Sequence, residues 1–292
     1  AGLSLGALVL GRRVLRRRQE QLACRLDNGR LSVLVVGQGP FCQALTRRLA
    51  NACLAVDWIA DSSESAAAEA VRRLGDVPPR MLAAPDAAAE YDLALVVARA
   101  TELSDAALHL RSLEATPVLV VSRHLGAWPP YAGLFTGTTP LIGVPALGGG
   151  GESRRHCDLW VGEADGAHSQ RLTLARRLLS RAGLGVRRCG AICQTLRQHS
   201  ALVAVQAMVG ALAGATEASA DGHGLADAAS VDAGRLLDGL GIAWDSVAKR
   251  TAAHWLRQAP TSADELALLS AQLLALAREE GAPVPIWARV SG

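Results

Sequence analysis

The stretch that most constrains this 292-residue chain is Leu31-Ser-Val-Leu-Val-Val36, followed at once by Gly37-Gln-Gly39. A short apolar run rich in β-branched residues and ending in glycines predicts a buried strand. Behind the glycines, Phe41, Leu45 and Leu49 fall on one side and Arg47 and Arg48 on the other, which predicts a helix. Leu54-Ala-Val-Asp-Trp-Ile59 then predicts a second strand, ending at Asp61. This β-turn-α-β order is the opening of a nucleotide-binding fold.

Two further buried-strand runs follow, Leu93-Ala-Leu-Val-Val97 and Pro117-Val-Leu-Val-Val121, with a helical segment from Asp105 to Leu113 between them. Such alternation predicts a parallel sheet with helices on its faces. Leu141-Ile-Gly-Val and Leu159-Trp-Val-Gly162 read as strands flanking the glycine run Gly148 to Gly151. Leu172 to Arg181 reads as a helix ending at Gly183. After Cys189 the strand-like runs stop, and Ala/Leu-rich helical segments take over at about 191–218, 224–238, 243–258 and 262–280. The length is near twice that of a typical domain, and half of the chain is apolar, which is ample for two cores. The expected organisation is a basic N-terminal extension (1–30), an α/β Rossmann-type dinucleotide-binding domain (31–188) and an all-α C-terminal domain (189–292).

Gly37-x-Gly39-x-x-Cys42 is a dinucleotide fingerprint with its third position altered. The first glycine permits the tight turn, and the second lets a pyrophosphate approach the backbone at the helix N-terminus. Cysteine at the third position is small enough to keep helix and strand close. Asp61 could accept the ribose hydroxyls of NAD and would repel the 2′-phosphate of NADP, or could simply be a turn residue before Ser62-Ser63. The net charge of +3 is too small for a nucleic-acid surface. The six cysteines form no CxxC pair, no metal site is indicated, and free thiols of a reducing compartment are expected. No apolar stretch is long enough to span a membrane. Residues 1–20 combine an apolar start with Arg12, Arg13, Arg16, Arg17 and Arg18 and no acid before Glu20. They resemble the tail of an organelle targeting segment or an arm for a membrane or partner surface, with an ordinary basic surface helix as the alternative.

The layout resembles ketopantoate reductase, the NADPH-dependent enzyme that reduces 2-dehydropantoate, over about Leu31 to Val290. Three stretches carry the likeness. They are the Gly37-Gln-Gly39 loop, Val97-Ala-Arg99-Ala-Thr-Glu-Leu-Ser-Asp105-Ala, and the run from Asp264-Glu265 to Gly281-Ala-Pro-Val-Pro285. The second is similar to the family's strand-Lys-Ala-x-Gln segment, and the third to its closing Thr-Glu-Ile-Asp helix and Gly-x-x-x-Pro. The resemblance implies a Rossmann domain joined to a 6-phosphogluconate-dehydrogenase-like helical domain, with the active site in the cleft between them. It implies NAD or NADP at Gly37, Gly39, Cys42, Asp61 and Arg99, with Arg99 standing for the family's cofactor-contacting lysine. The asparagine after the fourth strand falls at Arg123, and the catalytic lysine maps to Arg197 or His199 depending on register. Glu265 matches the family's glutamate, although Ser262-x-x-Glu265 is also a capping box.

All 30 basic residues except Lys249 are arginines, and Lys249 lies about 50 residues past the expected catalytic position. An arginine cannot replace a proton-donating lysine, because its pKa of about 12 or more keeps the proton bound. His199 is the residue that could rescue catalysis. Three expectations therefore stand. One is a divergent, catalytically degenerate member acting as an accessory subunit of a larger assembly, mitochondrial or otherwise cytoplasmic. Another is an active NAD(P)H-dependent 2-keto acid reductase using His199 or Arg197 with Glu265, and the third is a regulatory dinucleotide sensor.

Overall fold

The computed structural model describes residues 31–52, 54–60, 79–85, 89–111, 113, 116–122, 135, 139–145, 159–216, 222–242 and 263–290. Among these, the strands β1 (Ser32–Gly37), β2 (Ala55–Ile59), β3 (Arg80–Met81), β4 (Leu93–Ala98), β5 (Val118–Ser122), β6 (Leu141–Pro145), β7 (Leu159–Gly162) and β8 (Val186–Arg188) form one sheet in the order 3-2-1-4-5-6-7-8. The helices are α1 (Pro40–Asn51), α2 (Leu103–His109), α3 (Gln170–Arg181), α4 (Ile192–Thr216), α5 (Gly222–Gly239), α6 (Ala263–Glu279) and α7 (Pro285–Val290). The sequence-predicted helix at 243–258, the glycine run 148–151 and the extension 1–30 lie outside the described residues.

Strands β1 to β6 run parallel to one another, as the unbroken apolar runs require of strands covered on both faces. The sheet then changes direction. β7 pairs antiparallel with β6, and β8 runs parallel to β7. The short edge strands β3 and β8 carry too little apolar alternation to be legible as strands in advance.

Alternating strand residues supply two cores. On one face Val33, Val35, Leu95 and Val121 pack with Phe41, Leu45 and Leu49 of α1 and Leu178 of α3. On the other, Leu34, Val36, Val96 and Val120 pack with Leu103 and Ala106 of α2 and with Ile192 and Leu196 of α4. A third core is all helical, joining Leu202 and Val205 of α4, Leu236 of α5, Leu273 of α6 and Trp287 of α7. One helix thus serves two cores, with its first turns on the sheet and its later turns in the helical bundle. Close docking of its start needs Gly162, where a Cβ would lie 2.3 Å from the Cys189 carbonyl oxygen and 2.8 Å from the Ile192 Cβ. Within the bundle, the buried Asp232 of α5 accepts the Ile286 N–H at 2.8 Å, capping α7.

The turn after β1 is set by backbone contact. Gly37 has φ 137°, and a Cβ there would stand 1.9 Å from the Val97 carbonyl oxygen of β4. Gly39 has φ 92° and open space around the position of a Cβ. Gly37→Ala is expected to cost about 3 kcal/mol or more, since it adds a backbone clash to dihedral strain. Gly39→Ala, carrying the strain alone, should cost about 1–2 kcal/mol. Urea denaturation of both variants checks the order, and equal losses would contradict it.

Candidate dinucleotide site

The sheet changes winding direction between β1 and β4, which lie side by side while their connections leave toward opposite edges. In open α/β sheets that point leaves a crevice beyond the carboxyl ends of the strands, where ligands bind. Here Gly37, Gln38, Ile59 at the end of β2, Ala98 at the end of β4, and Glu102, Asp105 and His109 line a shallow pocket. The Trp58 indole donates to the Gly37 carbonyl at 2.9 Å and braces the turn from the side of β2. Gly39 is the N-cap of α1 without a side-chain cap, and the first turn of α1 has no acidic residue. The positive end of the helix dipole is therefore not offset by a carboxylate of its own. Pro40 follows at the first helical position, where its missing N–H is not needed.

Cys42, the altered third fingerprint residue, is completely buried under α1. Burial pushes its thiol up to about 12, so it serves as a small packing group. It packs in the core cluster that joins α1 to β1. Cys189 and Cys193 are free and half-buried where the chain leaves β8. Among the described residues, no group of three metal-ligating side chains exists and no helix is long and apolar enough to cross a membrane.

Arg99 lies directly after β4, where the sequence placed it, but its charge is already engaged. Its Nε donates to Glu102 Oε1 at 2.6 Å and its backbone N–H to Oε2 at 2.9 Å, with the guanidinium ion-paired to the same carboxylate. Gln38, between the two glycines, donates to Glu102 Oε1 at 2.9 Å. Glu102 was not singled out from the sequence, although its spacing from Arg99 is that of an i,i+3 pair. Burial alone would raise its carboxyl, but the Arg99 side chain and N–H and the Gln38 amide outweigh it and hold the pKa below the ordinary range. The Arg99 guanidinium is pushed up mainly by the Glu102 hydrogen bond, and the Glu265 charge adds to the effect.

Glu265 therefore sits within electrostatic reach of Arg99, across the junction between sheet and bundle. It is fully buried near the start of α6, a helix in contact with the 3-10 turn Ala100–Glu102. His199 is also fully buried, on α4. Ile192 stands beside Gly162, which pairs with Ile142 at the start of β6. From there α4 packs along β6, and His199 and Ser200 lie about 10–12 Å further along the helix. Ser122 and Ser200 both bury their hydroxyls with no hydrogen-bond partner among the described residues, Ser122 beside Ala98 on the neighbouring strand.

Arg197 is drawn elsewhere. It pairs with Glu279 at 2.6 Å and Glu280 at 3.2 Å, at the end of α6 opposite to Glu265. Glu265 and Glu279 are separated by roughly 21 Å along a straight α-helix. The structure thus brings together Gly37, Gly39, Cys42 and Arg99, sets Glu265 near Arg99, and separates Arg197 from them. Asp61, Arg123, Ser262 and Lys249 lie outside the described residues.

No family model matches the sequence, and comparison with curated proteins finds no match. Solved structures do match along nearly the whole chain. A Ralstonia solanacearum MolK2 protein described as a ketopantoate reductase superposes with TM-score 0.63 at 20% identity, covering 90% of this chain and 96% of that one. The fold is that of ketopantoate reductases. The 2-dehydropantoate 2-reductase of Porphyromonas gingivalis W83 gives TM-score 0.61 at 15% identity, over 89% and 97% of the two chains. D-mandelate dehydrogenase in complex with NADH shares the same architecture, with TM-score 0.59, 13% identity and coverage of 89% and 96%. At these identities what is shared is the ketopantoate reductase fold: a Rossmann-like sheet followed by a helical domain.

The lowered Glu102 pKa fixes the sign of one pH effect. A carboxyl whose folded pKa lies below its unfolded value of about 4.5 adds stability above that pH. This contribution is lost as the pH falls through the folded value. The stability gap between wild type and Glu102→Gln should be full at neutral pH and shrink below about pH 4.5. Thermal melts from pH 7 to 3 test it, and a gap that widens in acid would contradict it.

Proposed function

We propose that this chain binds a nicotinamide dinucleotide on the ketopantoate reductase fold but has lost reductase catalysis, and acts as a structural or accessory subunit of a larger, mitochondrial assembly. The observation that carries the loss of catalysis is the placement of Arg197. Hydride addition to a ketone leaves an alkoxide that must take a proton, so an acid must stand near the carbonyl. Arginine keeps its proton, and Arg197 is in any case bound to Glu279 and Glu280 at the far end of α6. The dinucleotide would lie against Gly37 and Gly39, with its phosphates at the start of α1, and it supplies hydride when bound. The assembly part of the reading rests on the Arg12–Arg18 run, whose acid-free charge suits an anionic partner surface. With purified full-length chain and 2-dehydropantoate, NADH or NADPH is expected to bind in calorimetric titration without turnover. Robust reduction would overturn the proposal.

A second reading, an active 2-keto acid reductase, draws on the complete burial of His199 and Glu265. There His199 would give the proton and Glu265 would orient the substrate. It predicts that His199→Ala lowers turnover by about 10²–10⁴-fold, the usual contribution of a general acid. Unchanged turnover in His199→Ala and Glu265→Ala would sink that assignment.

A further inference from the structure

Resting on the dinucleotide reading above, we propose that Glu102, with Asp105 beside it, selects a dinucleotide whose adenosine ribose carries free hydroxyls and rejects one carrying a 2′-phosphate. In dinucleotide folds the ribose lies at the end of the second strand. That strand end, Ile59, lines the same crevice as Glu102 and Asp105. The crevice wall therefore presents two carboxylates where the ribose would rest, and among the described residues no lysine or arginine lines it.

The nearby cation does not reverse this charge. Arg99 gives its guanidinium to Glu102, so the pair is close to neutral and Asp105 is left as net negative charge. The cancelled guanidinium offers a phosphate dianion little attraction, and the Asp105 carboxylate repels it. Hydroxyls fare differently. Each carboxylate oxygen can accept about two hydrogen bonds. Glu102 Oε1 takes Gln38 and Arg99 Nε, whereas Oε2 takes the Arg99 N–H and the ion pair is made through Oε1. Oε2 keeps a lone pair for a ribose O–H, and the exposed Asp105 can offer another. His109, one turn beyond Asp105 on α2, also lines the pocket.

The latch also explains how the carboxylate is held in place. Gln38 ties it to the glycine loop and Arg99 ties it to the end of β4, so it cannot swing aside to admit a phosphate without breaking both. Glu102 is thus a specificity-determining residue, which offers an acceptor and cancels the Arg99 charge, and Arg99 is a positioning residue acting through it.

The test measures NADH and NADPH affinity of the full-length chain by calorimetry at fixed pH 7.5 and ionic strength. Wild type should bind NADH at least about tenfold tighter than NADPH, a difference of about 1.4 kcal/mol. Glu102→Gln keeps an acceptor for Gln38 and Arg99 but removes the charge, and should narrow the ratio about tenfold or more by tightening NADPH. Asp105→Asn takes no part in the latch, and should narrow the ratio in the same direction if Glu102→Gln folds poorly. Equal or tighter NADPH binding by wild type, or an unchanged ratio in both variants, would overturn the selection proposal while leaving dinucleotide binding intact. Binding of neither dinucleotide by wild type would remove the underlying reading, and this one with it.

Discussion

The rest of the structure depends on the approach of β1 to β4 at Gly37. Two parallel strands meet there with so little room that a single methyl would enter the Val97 carbonyl. This contact holds the glycine turn against the sheet, and the Trp58 indole locks it from the other side. The crevice, the start of α1 and the position of Arg99 are all consequences of it. Because the chain turns away in opposite directions on either side, the two strand ends are left uncovered by their own connections. A site opens at that point of the sheet for topological reasons, before any particular side chain is considered.

Helix α4 is the second constraint. Ile192 and Leu196 belong to the sheet core, whereas Ala201, Leu202 and Val205 belong to the bundle core. The sheet and the bundle are therefore not independent bodies joined by a linker, and the residues at the changeover, His199 and Ser200, are buried from both sides. A polar residue at such a place costs stability unless it is paired, about 1–3 kcal/mol for an unsatisfied hydroxyl. The Ser200 hydroxyl, without a partner among the described residues, is thus a real expense to the fold.

What was legible in the sequence follows from these two constraints. Buried parallel strands must be apolar along their length, so β1, β2, β4 and β5 stand out, and the glycines between β1 and α1 identify the turn. The weaker strands β6 and β7 are marked by short apolar runs, but such a run does not encode pairing direction, so the reversal at β7 is visible only in the structure. β3 and β8, at the sheet edges, have only two and three residues and lack the pattern. In the site, the glycine loop and Arg99 could be read because they follow strand ends. The engagement of Arg99 could not, because an i,i+3 carboxylate is as common on a solvated helix face as in a latch. Nor could the register of the long helix choose between Arg197 and His199. The two differ in their surroundings, with Arg197 paired at the tail of α6 and His199 buried.

The near-absence of lysine takes on a different meaning at each position. At Arg99 an arginine preserves charge and can use its fork to make two bonds with one carboxylate, which a lysine ammonium cannot match in geometry. The exchange there strengthens the latch while neutralising the cation that a phosphate would seek. At Arg197 the guanidinium holds α6 to α4 through Glu279 and Glu280. One compositional bias thus anchors the carboxylate beside β4 and ties two helices together at Arg197. Both effects follow from the geometry of the guanidinium group, and they accord with the proposal of a fold that holds a dinucleotide without turning it over.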